Sequence, residues 1–566
     1  MINHSELSPL LLSVILFIAA AITTVPLDRG LERDGIALPV SETTGVPADV
    51  LLLQQTLGVF RGWAIDALWL RALERREEGA LHESMQLARW ITKLQPYFPR
   101  VWNFQSWLLA FEMALDSRDA DQRWTWVQES IDLLRGPGLR ANPLSREIHN
   151  QLSYLFWFKL GEFQDEAALY YQSRLCEQWR DILGDPVTEE SAGYYVETLR
   201  AISGAPRNPD QLREQAQVSD AELLLQIDGG WEDPRRLLSP APDSPLARLP
   251  GELREKVQAM VRRRVLERDM NMSVDLMLRI SEELEFVDWR TPAAHAVYWG
   301  IQGGLRETEK GIDARLNPQT LDRVLVVSNV RIGLQQMVAR GRVLLDDSGE
   351  LVTILPQPGL LPLYERSLLL LTGGQGIPEE LLPRVIEIVS GAVVNSWLQG
   401  EEDLVRKLLV RHDQLLGKTD RSGQEVLIDS IQDLVLHTLD EGEELPFLTM
   451  RIRSRALLAR GGGGTAVEAE RGEQLATLLE SSLSEIQRAE IKKIALASAL
   501  RSPRASAPLA VKQKIWKTLA AEEKQTLDKT TRSLLSIEAR RSGVEVEKLF
   551  PGLDVGSNDP AAVPGD

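Results

Sequence analysis

The residues of this chain whose types and spacing could do chemistry gather between Phe286 and Trp299, where Asp288, Trp289 and Arg290 precede Thr291-Pro292 and then His295, Tyr298 and Trp299. As chemistry, Asp288 would orient His295 as a general base, with Tyr298 three residues further along the same helical face. As structure, Asp288 to Pro292 is the turn that opens a helix, and His295, Tyr298 and Trp299 share its inward side. The structural reading ranks first, because no nucleophile or second acid stands at a readable spacing. The other histidines, His4, His82, His149, His412 and His437, stand singly, without the pair four apart that holds a metal on a helix. Leu415-Leu416-Gly417-Lys418-Thr419 ends like a phosphate-binding loop, yet His412 occupies the position of that loop's first glycine and a helix precedes it where a strand is needed. Ser390-Gly391 has Ile388 where a nucleophile elbow requires glycine. Cys176 is the only cysteine, which excludes an internal disulfide, and its neighbours Tyr170, Tyr171, Leu175 and Trp179 mark a core position. No catalytic residue, cofactor or metal site is therefore expected, and an enzyme with a site around Asp288, His295 and Tyr298 is the runner-up reading.

The elements that would position these residues are helices. Nine of the fourteen tryptophans fall between Leu51 and Leu183, a stretch of apolar-periodic segments separated by short polar breaks. Leu51 to Glu78 carries Leu57, Phe60, Trp63, Ala64, Ala67, Leu68 and Leu70 at three- and four-residue steps and stops at Gly79. The next helix begins at Leu81 and stops at Gln95-Pro96, where proline removes a donor and restricts the residue before it. The hairpin recurs: Trp69 to Leu73 aligns with Trp107 to Phe111 after 38 residues and with Tyr154 to Phe158 after a further 47. Its second helices end alike, at Pro96 and at Asn142-Pro143. A unit of this kind cannot bury its apolar face alone and must stack on neighbours.

On Gly79, Leu81, Ser84, Ala88, Ile91 and Pro96, which fall near that family's turn, packing and terminal-proline positions, the chain resembles tetratricopeptide repeats. Gly161-Glu162-Phe163 followed by Glu166-Ala167 echoes the same turn. The spacings exceed the usual period of about 34 residues, so the repeats are divergent. The run Gly58-Val59-Phe60-Arg61-Gly62, with Trp90 to Pro96, Phe98-Pro99 and Trp102, is also similar to a family of membrane-anchored bacterial proteins without assigned activity. That likeness covers the first third of the chain and supplies no catalytic residue.

Leu7 to Val25 is uncharged apart from its flanks and about long enough to span the roughly 30 Å hydrocarbon core as a helix. Without a basic n-region it reads as an uncleaved anchor ahead of a cleaved signal. Arg29 and Arg33 on its C-terminal side favour a cytoplasmic domain, whereas the family resemblance favours a periplasmic one. The expected location is the bacterial inner membrane, single-pass. A net charge of -18 argues against a nucleic-acid surface.

The expected fold is all-α: stacked antiparallel hairpins of a TPR-like α-solenoid, with one N-terminal transmembrane helix and a minor β-hairpin. Its parts are an anchor in 1–30, Trp-rich hairpins in 51–183 and a Pro/Gly-rich connecting region in 184–251. A second helical-repeat region follows in 252–460 with the β-hairpin near 342–355, then a glycine linker at 461–465, C-terminal helices in 466–545 and a disordered tail at 551–566. The expected function is a membrane-anchored scaffold for protein-protein interaction in the cell envelope, or alternatively an accessory subunit of a membrane transport or secretion complex. Trp63, Trp69, Trp102, Trp107, Trp124 and Trp126 form the candidate partner-binding surface, because aromatics supply much interface energy.

Overall fold

A computed structural model describes residues 61–553 apart from 118, 163–164, 166, 187–190, 217–220, 239–242, 309–317, 346–350, 418–430, 432–433, 435–444, 464, 482, 502–507 and 542–543. The apolar segment Leu7 to Val25 and most of the C-terminal tail lie outside the described residues. What is described is mostly helical, as an all-α chain should be, with one two-stranded sheet. It divides into two compact units, Met1–Ile148 and His149–Asp566.

In the first unit the helix Arg61–Glu77 packs against Leu81–Leu94 across a turn at Gly79, whose φ of +76° is one that a side chain would disfavour. The pair is antiparallel. Ile65 joins Ile91, Leu94 and Val101 in one apolar cluster, while near the turn Ser84 Oγ donates to the Ala72 carbonyl at 2.8 Å. Pro99–Trp107 runs through a π turn, Leu108–Met113, to Ala114–Asp116. Ala120–Leu133 likewise continues through Leu134–Gly138, where Pro137 cannot donate and the helix widens. Buried polar pairs fix the register between helices: Thr92 Oγ1 donates to Gln105 Oε1 at 2.9 Å, and the Ser106 and Ser130 hydroxyls meet at 2.8 Å.

The second unit holds Ala168–Leu183, Ser191–Ser203 and a succession of shorter helices. The region 184–251, expected to connect, is itself folded. Pro209–Ala216, Ala221–Gly230 and Arg235–Leu238 supply Leu212, Leu223, Ile227 and Leu237 to a cluster completed by Val257, Met260 and Val261 of Gly251–Arg264. Three of its prolines, Pro209, Pro234 and Pro250, stand at or just before first turns, where the missing N-H has no intrahelical partner to lose. Pro292–Thr308 then packs against Ser328–Ala339, with Gly300 and Gly333 at the contact. Strands β1 (Arg342–Leu345) and β2 (Leu351–Leu355) pair antiparallel, Val343 opposite Ile354, with an irregularity after Leu344. That is the expected hairpin; its turn lies outside the described residues.

Among the described residues one helix, Glu379–Gln399, is long and apolar enough to cross a membrane, with a mean hydropathy of 1.3; half of that stretch is buried within the protein. The expected glycine linker is a correction. Leu445–Leu458 runs on through a π turn, Ala459–Gly463, and a side chain at Gly461 would come within 2.8 Å of Ile515. Helix Pro508–Thr518 approaches too closely for anything larger. The C-terminal helices close over Trp516 and Phe550.

Candidate functional site

Asp288, fully buried, is where the polar residues of the second unit converge. It sits in the turn between Val274–Leu284 and Pro292–Thr308, and its two oxygens collect donors from three directions. Arg290 supplies Nε at 3.0 Å, Nη2 at 2.9 Å and its backbone N-H at 3.1 Å. Tyr195 Oη donates at 3.3 Å from helix Ser191–Ser203, and the Val343 N-H donates at 3.1 Å from β1. The third face of Arg290 turns to Asp185 Oδ1 at 3.0 Å, and Arg180 Nε reaches Asp185 Oδ2 at 2.6 Å. The result is a hydrogen-bonded chain of alternating charge, buried at Asp288 and Arg290 and partly exposed at Asp185 and Arg180. Burial pulls the Arg290 guanidinium down, but the Asp288 charge and hydrogen bonds outweigh it and the group stays cationic. Burial, then the Asp288 charge, holds the Tyr195 hydroxyl well above its ordinary value, so it donates as a neutral phenol. Cys176 lies in the same field: burial pushes its thiol up to about 12, with Arg290 opposing and Asp288 adding. It is a core thiol, as its neighbours implied.

His295, also fully buried, is engaged elsewhere. Its Nε2 meets the Trp289 carbonyl at 2.9 Å, so that nitrogen carries a proton. The ring stacks on Phe156 at 4.8 Å and lies tilted against Trp179 at 4.3 Å, with Trp289 edge-on at 5.9 Å. Tyr298 Oη accepts from the Ser273 N-H at 2.7 Å and from Gln302 Nε2 at 3.1 Å, steadying the start of Val274–Leu284. Asp288, His295 and Tyr298 therefore share one core but face three different partners. As an acid-base array they are not aligned.

The other sequence candidates disperse. His82 is exposed, His149 packs 5.9 Å from Trp299, and His412 is buried at the end of Glu402–Leu415. Gly417, at φ +64°, ends that helix; Lys418 and Thr419 lie outside the described residues. Among the described residues no three His, Cys, Asp or Glu side chains are grouped as a metal ion requires. An open groove of about 1140 Å³ runs beside Ala466–Glu480, walled by Ala459, Ala469 and Leu478 with Arg460, Glu473 and Lys514 at its edges.

The tryptophan surface divides in two. Trp102 and Trp124 are buried, which corrects their place on a binding face: Trp102 Nε1 finds the Pro96 carbonyl at 2.7 Å, so the ring turns inward without stranding its donor. Trp126, two residues from Trp124, lies half-buried with Nε1 donating to Ser117 Oγ at 3.1 Å. Trp63 and Trp107 are exposed and Trp69 half-buried. Trp69 meets Phe104 edge-on at 4.8 Å, and Trp107 stacks on Phe111 at 4.2 Å, so an aromatic strip crosses from Arg61–Glu77 to the next first helix. Phe104 and Phe111 were not among the sequence candidates. The signal for Phe111 was available in the repeat alignment, which sets Trp107 and Phe111 opposite Trp69 and Leu73; Phe104 lies before the aligned stretch.

Compared with known proteins, the chain matches no family model, no curated protein sequence and no solved structure.

Proposed function

We propose that this protein is a membrane-anchored helical-repeat scaffold that binds other proteins in the bacterial cell envelope. Its hairpins stack as a divergent TPR-like α-solenoid, Leu7 to Val25 holds it to the membrane, and the working surface is the strip Trp69, Leu73, Phe104, Trp107 and Phe111 on the first helices of successive hairpins. The observation that carries the reading is the stacked Trp107-Phe111 pair, left accessible beside Trp69-Phe104 rather than turned into the core. Exposed large apolar side chains in the described part of the first unit also include Trp63, Leu70 and Leu115. Such side chains serve as anchors when a partner desolvates them.

The test is capture of the intact anchored protein after cross-linking in membranes, comparing the natural chain with a Trp107→Ala, Phe111→Ala double variant. The variant should lose specific partners while keeping its helical content, because both side chains stand partly in solvent. An unchanged set of partners, or limited proteolysis that finds no protected core within 61–148, would sink the proposal.

A further inference from the structure

One end of the first unit brings basic and exposed aromatic side chains together. The chain has 82 acidic against 64 basic side chains, yet residues 84–111 contain three cations and no carboxylate. The structure gathers those cations at the turn that ends Leu81–Leu94. Arg89 and Lys93 are exposed on the last turns of that helix, and Lys93 Nζ lies 5.3 Å over the ring of Trp90. The turn itself presents Tyr97 and Phe98 to solvent, and Arg100 is exposed just beyond it. The Pro96 carbonyl accepts from Trp102 Nε1 and from Asn142 Nδ2, each at 2.7 Å, which ties the end of the next hairpin alongside. That second turn adds Leu144, 64% exposed, between Arg140 and Arg146.

Carboxylates collect at the opposite end. Glu78 and Glu83 flank the turn at Gly79, and Asp116, Asp119 and Asp121 surround the following one. Charges between Arg61 and Ile148 balance, twelve of each sign, and at the acidic end Arg71, Arg75 and Arg76 pair with carboxylates. At the basic end Glu147 adjoins Arg146 in the chain, and Asp66 lies three residues from Trp63. This end is also where the chain arrives from its N-terminal apolar segment. Because Arg61–Glu77 and Leu81–Leu94 are antiparallel, the first turn of the former, with Trp63 81% exposed, stands beside the Pro96 turn.

We infer that this end of the first unit docks on anionic phospholipid headgroups. Trp90, Tyr97, Phe98 and Leu144 enter the interfacial layer, where rings with an apolar body and a polar edge settle, and the surrounding cations face lipid phosphates. Each Lys or Arg near such a surface strengthens docking about five-fold. An acidic protein would match the charge equally well. The bilayer is favoured because the patch lies at the end from which the chain leads back to Leu7 to Val25, so the inference rests in part on the proposed anchor.

The experiment uses the full chain with Cys176→Ser and one new thiol, Leu144→Cys, carrying an environment-sensitive fluorophore; Asp119→Cys at the acidic end is the control. Each protein is reconstituted in phosphatidylcholine vesicles with and without phosphatidylglycerol, and quenching by brominated acyl chains is read. The label at 144 should be quenched when phosphatidylglycerol is present, and the label at 119 should not. Arg89→Gln, Lys93→Gln and Arg100→Gln together should lower the docking equilibrium about a hundredfold, with the far-UV spectrum unchanged. A chain that floats with vesicles but leaves the label at 144 unquenched in both lipids overturns the inference and leaves the patch to an acidic protein. Equal quenching in both lipids, or none lost in the triple variant, overturns its electrostatic basis. Flotation that needs phosphatidylglycerol and is lost in high salt supports docking and sinks the anchor alone, whereas a chain that floats with neither lipid overturns both.

Discussion

Replacing Asp288 by Asn separates a structural hub from a catalytic acid. The carboxylate, with no exposed surface, accepts from Tyr195 Oη, from three donors of Arg290 and from the Val343 N-H. Asparagine keeps the shape but turns an NH2 group toward some of those donors and leaves the Arg290 cation buried with Asp185 as its remaining carboxylate partner. Removing one member of a buried ion pair costs about 3–5 kcal/mol, because the charge left behind stays desolvated. The loss should appear in chemical denaturation of the second unit. It should appear more directly in hydrogen exchange at Val343, whose amide is held by the lost carboxylate oxygen: at about 1.4 kcal/mol per factor of ten, protection falls by roughly two to three and a half orders of magnitude. The double variant Asp288→Leu, Arg290→Met should recover part of the stability, since two apolar groups leave no buried unpaired charge while the Tyr195 hydroxyl and the Val343 N-H lose their acceptor. If Asp288→Asn leaves Val343 protection unchanged or makes the protein more stable, the carboxylate is not a structural hub, and a strained functional role becomes the better account.

Further outcomes follow from local geometry. Gly333→Ala sets a methyl group 2.8 Å from Val297 Cγ2 and 3.1 Å from the Val297 nitrogen, and this overpacking should destabilise the second unit by about 1–3 kcal/mol in denaturant titration. Cys176 should resist alkylation in the native chain at pH 8 and react once the chain is unfolded. Its folded value, about 12, lies above the ordinary 9.0, so the stability it contributes is complete below pH 9 and is lost as pH rises toward 12. The loss is about 1.4 kcal/mol per unit, and Cys176→Ala should remove that share of the alkaline slope. Asp165 runs the other way. Burial raises its carboxyl, but hydrogen bonds from Lys159 Nζ at 2.6 Å, the Ala167 N-H and Tyr171 Oη hold it below 3.8. Its contribution is therefore present above pH 3.8 and lost as pH falls through the lower folded value, and Lys159→Met should shift the acid transition to higher pH.

Where sequence spelled out the fold, the determinant was local. Gly79, Pro96 and the Asp346-Asp347-Ser348-Gly349 turn mark breaks by what one residue's backbone can adopt, and the structure places helix ends at the first two and strands on either side of the third. Region 184–251 misled because proline was read as a breaker of structure when, at Pro209 and Pro250, it breaks only between one short helix and the next. Gly461 to Gly463 misled for the converse reason. Their cost to an isolated helix is real, about 1 kcal/mol each, but at Gly461 Val511 and Ile515 pack where a side chain would have stood, and close contact with a helix some fifty residues away outweighs propensity there.

The candidate site tests the same distinction more severely. A sequence window could place Asp288, His295 and Tyr298 on one stretch of chain, but what each does is decided by groups far from that window. Tyr195 is 93 residues before Asp288 and Val343 is 55 after it, and Phe156 and Trp179 come from two other helices to enclose His295. No spacing rule reaches those partners, so the sequence window alone does not show what each of these side chains touches. The tryptophans obey the same logic from the outside. Periodicity gave Trp102 and Trp107 similar claims to a surface, and the difference between them is that the Pro96 carbonyl stands where the Trp102 indole N-H can reach it. Trp107 stacks instead on a ring of its own helix and keeps a face toward solvent. For Trp102 burial goes with a partner for the polar edge of its ring, whereas Trp126 stays half-buried although its indole N-H reaches Ser117 Oγ.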